Sequence, residues 1–215
     1  MDNEINKHTE YLLSRYSVLA SIETQIVDAY YLLEHCYSMG GKVLIAGNGG
    51  SAADADHIVG ELMKGFKKQR HVTKEFSDLL VKVDKEKGEI LADKLQGALP
   101  TISLNNHIAL NTAYLNDVDG NLVCAQQLYG YGKENDVFIA ISTSGNSENI
   151  INAAIVAKAL GIKVISLSGR GGGKLKNLSD VAVIVPNDET YEIQELHLPI
   201  YHTWCLMLED KFFSE

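Results

Sequence analysis

His57 and Glu61 stand four positions apart in "SAADADHIVGEL", a spacing that places both on one face of a helix about a turn apart. A histidine and a carboxylate so placed can ligate a metal or work as an acid–base couple; they can equally form a plain surface pair. Just upstream the chain runs from "KVLIAG" into "NGGS", and "FIAISTSGNSENI" leaves an apolar run in the same way through Ser142, Thr143, Ser144 and Ser147. Glycines let the backbone approach a ligand closely, and free N–H groups at a helix start favour an anion. With Ser51 and the later hydroxyls as added donors, two such corners point to a phosphate monoester. The alternative is that Ser, Thr and Asn serve there only as N-caps. A third polar set, Gln194, Glu195, His197 and His202, lies in the closing segment.

Two other phosphate readings fail. Gly47-x-Gly49-x-x-Ala52 matches a dinucleotide fingerprint in form, but that reading also needs an acidic residue about 20 positions on to hold a ribose. "FKKQRHV" occupies that region instead. A P-loop needs Ser or Thr after Gly-Lys, and Gly173-Lys174 is followed by Leu175.

The elements that would position these residues follow from periodicity. The first 40 or so residues read as two helices, the second with Ile22, Ile26, Ala29, Leu33 and Cys36 at helical spacing and a stop at Gly40-Gly41. Strands are expected at "KVLIAG", "PTISL", "DVFIAIS", "KVISLS" and "SDVAVIVP", alternating with a helix from Ser51 to about Phe66, a helical stretch ending near "LNDVDGN", a helix after "TSGNS" through about Leu160 and a closing helix from about Thr190. Residues 67–98 are charged with apolar positions at helical spacing and read as a solvated helical excursion; Lys67, Lys68 and Arg70 receive no role. Alternating strands and helices define an α/β fold, a three-layer doubly wound parallel sheet flanked by helices, with ligands beyond the carboxyl ends of strands. No Pro-, Gly- or Ser-rich linker breaks the chain, so 1–215 reads as one domain.

Composition narrows the function. Hydrophobic residues make up 46% and charged residues 22% of the chain, the balance of a soluble globular protein. The net charge is −9 with no long basic block, which argues against nucleic-acid binding and means that an anionic ligand needs locally aimed donors. No segment has the length of a membrane span, and the N-terminus lacks the basic flank and apolar core of a signal peptide. Cys36, Cys124 and Cys205 are far apart and odd in number, as expected in a reducing cytoplasm.

"GNGGSAADADHI", then "STSGNSENI", then "IQELHLPIYH" resembles the sugar isomerase (SIS) domain, of flavodoxin-like topology, and within it the phosphoheptose isomerases. The resemblance covers nearly the whole chain apart from the excursion. It implies an aldose–ketose isomerase that converts sedoheptulose 7-phosphate to D-glycero-D-manno-heptose 7-phosphate through an enediol, the first step of activated-heptose synthesis for surface glycans such as lipopolysaccharide or capsule. It assigns sugar-phosphate binding to Asn48, Gly49, Gly50, Ser51, Asp117, Ser142, Thr143, Ser144, Ser147 and Gln194. It assigns one Zn²⁺ per site to His57, Glu61, Gln194 and His202, with Glu61 as base and His202 as general acid, and implies a homotetramer with sites at subunit interfaces. The alternatives are an isomerase of another sugar phosphate and a non-catalytic phosphosugar-binding or partner-docking SIS protein. Two departures bear on the sugar end of the pocket: Tyr191-Glu192 stands where the family commonly has Arg before "IQE", and the excursion lengthens the connection after the His57 helix.

Helix geometry adds a constraint. Gln194 and His202 would lie about 12 Å apart along an unbroken helix, so that one ion binds both only at full side-chain reach. Either Pro199 kinks the segment or starts a helix there, or the ligands come from neighbouring subunits.

Overall fold

The computed structural model describes residues 3–213. Five strands, β1 (Val43–Ala46), β2 (Thr101–Ser103), β3 (Val137–Ile141), β4 (Lys163–Ser168) and β5 (Val181–Ile184), form one sheet in the order β2-β1-β3-β4-β5. Every pair is parallel, with Val43 opposite both Thr101 and Val137. This is the doubly wound arrangement expected from the alternation. The chain turns one way from β1 to β2 and the other way from β3 to β4, so the crevice between β1 and β3 is the topological switch point.

The strands are apolar on both faces because both are covered. Val43, Ile45, Ile139, Ile165 and Leu167 pack into one core with α2 (Glu23–Ser38), α3 (Gly50–Met63) and α9 (Thr190–Phe212). Leu44, Phe138, Ala140 and Val164 alternate with them into a second core under α7 (Val123–Tyr131) and α8 (Glu148–Ala159). The opening helices are α1 (Asn3–Arg15) and α2, joined by a short 3₁₀ turn.

The excursion contains α4 (Lys74–Val83) and α5 (Lys85–Lys94), which pack on each other where Gly88 meets the Leu80 backbone and bury no side chain. Residues 67–70 before them behave differently, and Arg70 is among the most deeply buried residues of the molecule.

Two points go beyond the reading of the sequence. Between Asn121 and β3, where the sequence pattern assigns no element, α7 follows α6 (Ile108–Asp117) after a 3₁₀ turn. A nine-residue helix containing Val, Cys, Tyr and Gly has little intrinsic stability; burial of Val123, Cys124 and Leu128 beneath α8 supplies it. No helix starts at Pro199, which lies inside the continuous α9. Pro199 lacks an N–H for the ladder, yet the helix around it is held by burial among α1, α2 and α3, and Thr203 Oγ1 donates to the Pro199 carbonyl at 2.8 Å.

Candidate active site

The two glycine and hydroxyl corners leave β1 and β3, the strands on either side of the switch point. They are strapped together: Asn48 Nδ2 donates to Asn149 Oδ1 at 2.9 Å, and Asn149 Nδ2 donates back to Asn48 Oδ1 at 2.8 Å. Asn48 is thus a strut between the corners. Gly49 holds φ 55°, a left-handed conformation that glycine adopts without steric cost. A Cβ on Gly50 would collide with the Gln194 amide, which places Gln194 against the first turn of α3.

The hydroxyls are not spent on capping. Neither Gly49, at the start of α3, nor Ser147, at the start of α8, makes a side-chain cap hydrogen bond. Ser147 Oγ instead lies 2.9 Å from Ser142 Oγ, and Ser142 and Ser51 are buried. Within the first turns the Ser51, Ala52 and Ile150 N–H groups already donate to the carbonyls of Asn48, Gly49 and Ser147, so what the corners present to an anion is the leading N–H groups of Gly50, Glu148 and Asn149 together with the serine hydroxyls. Ser144 is partly used locally, its Oγ accepting from the Asn146 N–H at 3.2 Å. Thr143 lies between Ser142 and Ser144, and its carbonyl accepts from Gly169 N–H at 3.0 Å. Asp117 is exposed at the end of α6, where its Oδ1 accepts from Asn116 Nδ2 at 2.7 Å, and no described contact joins it to the corners.

Further along α3, three of the sequence candidates meet. His57 Nε2 lies 3.3 Å from Glu61 Oε1 and 3.5 Å from His202 Nε2. The His57 and His202 rings stack edge to face, and Phe66 and Tyr201 flank His202. Burial first, and then the neighbouring His57, push His202 below the ordinary imidazole range, with Glu61 pulling the other way. A neutral ring is the form that ligates a metal; as an acid His202 must first take up a proton.

The donor set fits zinc in part. Ligand atoms about 2.0–2.1 Å from one tetrahedral ion lie about 3.3–3.5 Å from each other, which matches both separations at His57. Two imidazoles and a carboxylate suit Zn²⁺. Among the described residues, however, no group of three His, Cys, Asp or Glu side chains is arranged to hold a metal ion as it stands, so the trio would have to close up around one. Gln194 is not part of it, since it faces Gly50 about 12 Å of helical rise away from His202. His57 and His202 meet within one chain because α3 and α9 pack side by side.

Three contributors escaped the sequence reading. Tyr201 OH lies 3.0 Å from His57 Nδ1 and donates to Asp54 Oδ1 at 3.2 Å; burial, then the Asp54 carboxylate, raises its phenol pKa and keeps it protonated. Arg70, given no role above, is buried and donates from Nη2 to the Glu61 carbonyl at 3.0 Å, from Nη1 to the Leu62 carbonyl at 2.8 Å and from Nε to Glu209 Oε1 at 2.8 Å. Glu209 also accepts from the N–H groups of Phe66, Lys67 and Lys68. This knot fastens the end of α3, and Glu61 with it, to α9. Asp54, one turn before His57 on α3, was legible in the sequence; Tyr201 and Glu209 lie 144 and 139 positions from their partners, beyond any local pattern. Glu192, in place of the family's common Arg, accepts from Asn187 Nδ2 at 2.6 Å and from Tyr191 OH at 2.9 Å.

A doubly wound parallel sheet with two glycine and hydroxyl corners at its switch point, and a His–Glu–His trio where α3 meets α9, defines the class as an α/β protein with its site at the carboxyl ends of the strands, and residues 91–169 match the family model of the SIS domain. The chain is 40% identical to the phosphoheptose isomerase of Helicobacter pylori over 99% of its own length and 97% of that protein's. Its structure is similar to the phosphoheptose isomerases of Neisseria gonorrhoeae (TM-score 0.73, 29% identity, 94% of each chain) and Francisella tularensis (TM-score 0.73, 30% identity, 95% of this chain and 97% of that one). The chain belongs to the phosphoheptose isomerase family.

Proposed function

We propose that the protein isomerises sedoheptulose 7-phosphate to D-glycero-D-manno-heptose 7-phosphate. The observation that carries this is the meeting of His57, Glu61 and His202 on the same helix pair whose start forms the anion corner. The names of the relatives and the uncapped hydroxyls at both corners support it. Ser51, Ser142, Thr143 and Ser147, with first-turn N–H groups, hold the phosphate. Glu61 takes the proton from the carbon beside the carbonyl and His202 in its protonated form gives a proton to the carbonyl oxygen, which makes a cis-enediol; Glu61 then returns its proton to the neighbouring carbon while the neutral His202 takes the proton of the other hydroxyl as the new carbonyl forms, so both residues end as they began. Lys64 Nζ, 3.2 Å from Glu61 Oε2, balances the carboxylate charge.

One Zn²⁺ per site, held by His57, Glu61 and His202 and completed by Gln194 of another copy, would polarise the carbonyl as a Lewis acid. The reach from Gln194 to His202 supports sites shared between subunits, and a homotetramer is proposed on that ground together with the family resemblance. We also propose a cytoplasmic location and a role in activated-heptose supply for surface glycans. Three free, buried cysteines are consistent with a reducing compartment, and among the described residues no helix is long and apolar enough to cross a membrane.

The test is incubation of zinc-loaded protein with sedoheptulose 7-phosphate in heavy water. Product formation with deuterium at C1 or C2, lost in Glu61→Gln, is the expected result. An active Glu61→Gln variant would overturn the assignment of the base, and no turnover by the wild type would overturn the function.

A further inference from the structure

We propose that Tyr201 and Asp54 are positioning residues that fix His57 as its Nδ1–H tautomer, leaving the Nε2 lone pair facing Glu61 and His202. The argument is a count of protons. The phenol of Tyr201 carries one, and that proton points to Asp54 Oδ1, since the O–H donates there at 3.2 Å. The phenol oxygen can then only accept from His57 Nδ1, 3.0 Å away, so Nδ1 carries the imidazole proton. Nε2 is left as a bare lone pair 3.3 Å from a carboxylate oxygen and 3.5 Å from a second imidazole nitrogen. His202 Nε2 can meet that lone pair with an N–H, or both nitrogens can turn with the Glu61 carboxylate to one cation; in the second case a neighbour that fixes the tautomer of a ligating histidine raises its affinity for metal.

The rings pack edge to face at 5.5 Å, so Tyr201 also fixes the plane of His57. Asp54 lies on α3 one turn before His57, and Tyr201 comes from α9; the relay therefore works only while the two helices keep their register. Asp54 Oδ2 is buried and has no hydrogen-bond partner, so the carboxylate has no competing donor and stays turned to Tyr201. The inference rests on the zinc reading for its purpose but not for its geometry, and the two can fail separately.

The experiment uses the full-length protein with ¹⁵N-labelled histidine. In the metal-free state, nitrogen shifts of the His57 ring report the tautomer; zinc affinity is then read by competition with a chromogenic chelator. The wild type should show Nδ1–H. Tyr201→Phe, which keeps the aromatic packing, should lose that preference and bind zinc about 10–100-fold more weakly. Asp54→Ala should act with a different sign at the ring: the freed phenol proton turns to Nδ1 and drives His57 toward Nε2–H, an effect that no loss of packing produces. An Nε2–H ring in the wild type, or an unchanged tautomer in both variants, would overturn the relay. If the wild type shows Nδ1–H and both variants shift as stated while none of the proteins binds zinc, the relay stands and the zinc reading falls.

Discussion

Glu209→Gln is the sharpest probe of how the reactive helix is held. Glu209 and Arg70 are 1% and 0% exposed at the side chain. Glu209 Oε1 accepts from Phe66 N–H and Arg70 Nε, and Oε2 accepts from the N–H groups of Lys67 and Lys68. A glutamine keeps one oxygen and turns an NH₂ toward two donors, so two N–H groups lose their acceptor at about 1–3 kcal/mol each. The guanidinium also stays buried without its counter-charge, and breaking a buried pair from one side costs about 3–5 kcal/mol. These losses overlap, so about 3–5 kcal/mol is expected in all, or a fall in Tm of about 6–20 °C for a chain of this size. Trp204 is the only tryptophan, is buried, and donates from Nε1 to the Ile26 carbonyl at 2.9 Å, so its fluorescence reports urea unfolding from within the same helix. Burial raises the Glu209 carboxyl, but the Phe66 and Lys67 N–H groups and Arg70 outweigh it and hold the pKa below the usual Glu value. The wild-type stabilisation is therefore complete above about pH 4.5 and fades as pH falls through the lowered value; the glutamine variant should lack that slope. The double variant Arg70→Met with Glu209→Leu should lose less than the sum of the two singles, since no lone charge remains. A Glu209→Gln midpoint within about 0.5 kcal/mol of wild type would refute the reasoning.

Three further outcomes are expected. His197 is fully buried, and burial pushes it down to about 4 from 6.5 against a weaker pull the other way from the Ser168 backbone; stability should thus drop by about 3 kcal/mol as pH falls from above 6.5 to about 4, and His197→Leu should remove that part of the urea-midpoint slope. Mixing Glu61→Gln with Gln194→Ala protein under subunit exchange should restore activity that neither has alone, whereas a mixture of His57→Ala and His202→Ala should not, because those two meet in one chain. Ser142→Ala with Ser147→Ala should raise KM for the phosphosugar about tenfold or more, the loss of one charge-assisted hydrogen bond or two; an unchanged KM in steady-state assays would remove the corner from phosphate binding.

The strands and the corners were legible because they rest on local pattern. Continuously apolar runs ending in glycine and serine have one reading in an alternating α/β chain, and the face shared by His57 and Glu61 is set by helical period alone. What the sequence hid was long-range. Arg70 sits in a run of cations, "KKQR", that looks solvated until Glu209 is brought over it by α9. Pro199 reads as a break, since propensity ignores the three helices that bury the segment. Tyr201 reads as one more apolar position of α9, and only its phenol's distance to His57 gives it a chemical part.

The register of α3 against α9 decides how many chains a site needs. Gly50 meets Gln194 and His57 meets Tyr201, and each pair is separated by the same 144 positions, so the helices run parallel without slip. A third contact, Glu209 with the backbone just beyond α3, closes the far end. Sliding one helix to bring Gln194 toward the trio would break the Tyr201 link and strip Glu209 from Arg70, at a cost of several kcal/mol. About 10 Å of rise therefore separates the level of Gln194 from that of His57 in every folded copy. Bridging that step to an ion about 2 Å from its ligand atoms would take the full reach of both side chains, whereas the Gln194 amide lies against Gly50; this is the ground for proposing that a Gln194 ligand comes from a neighbouring copy.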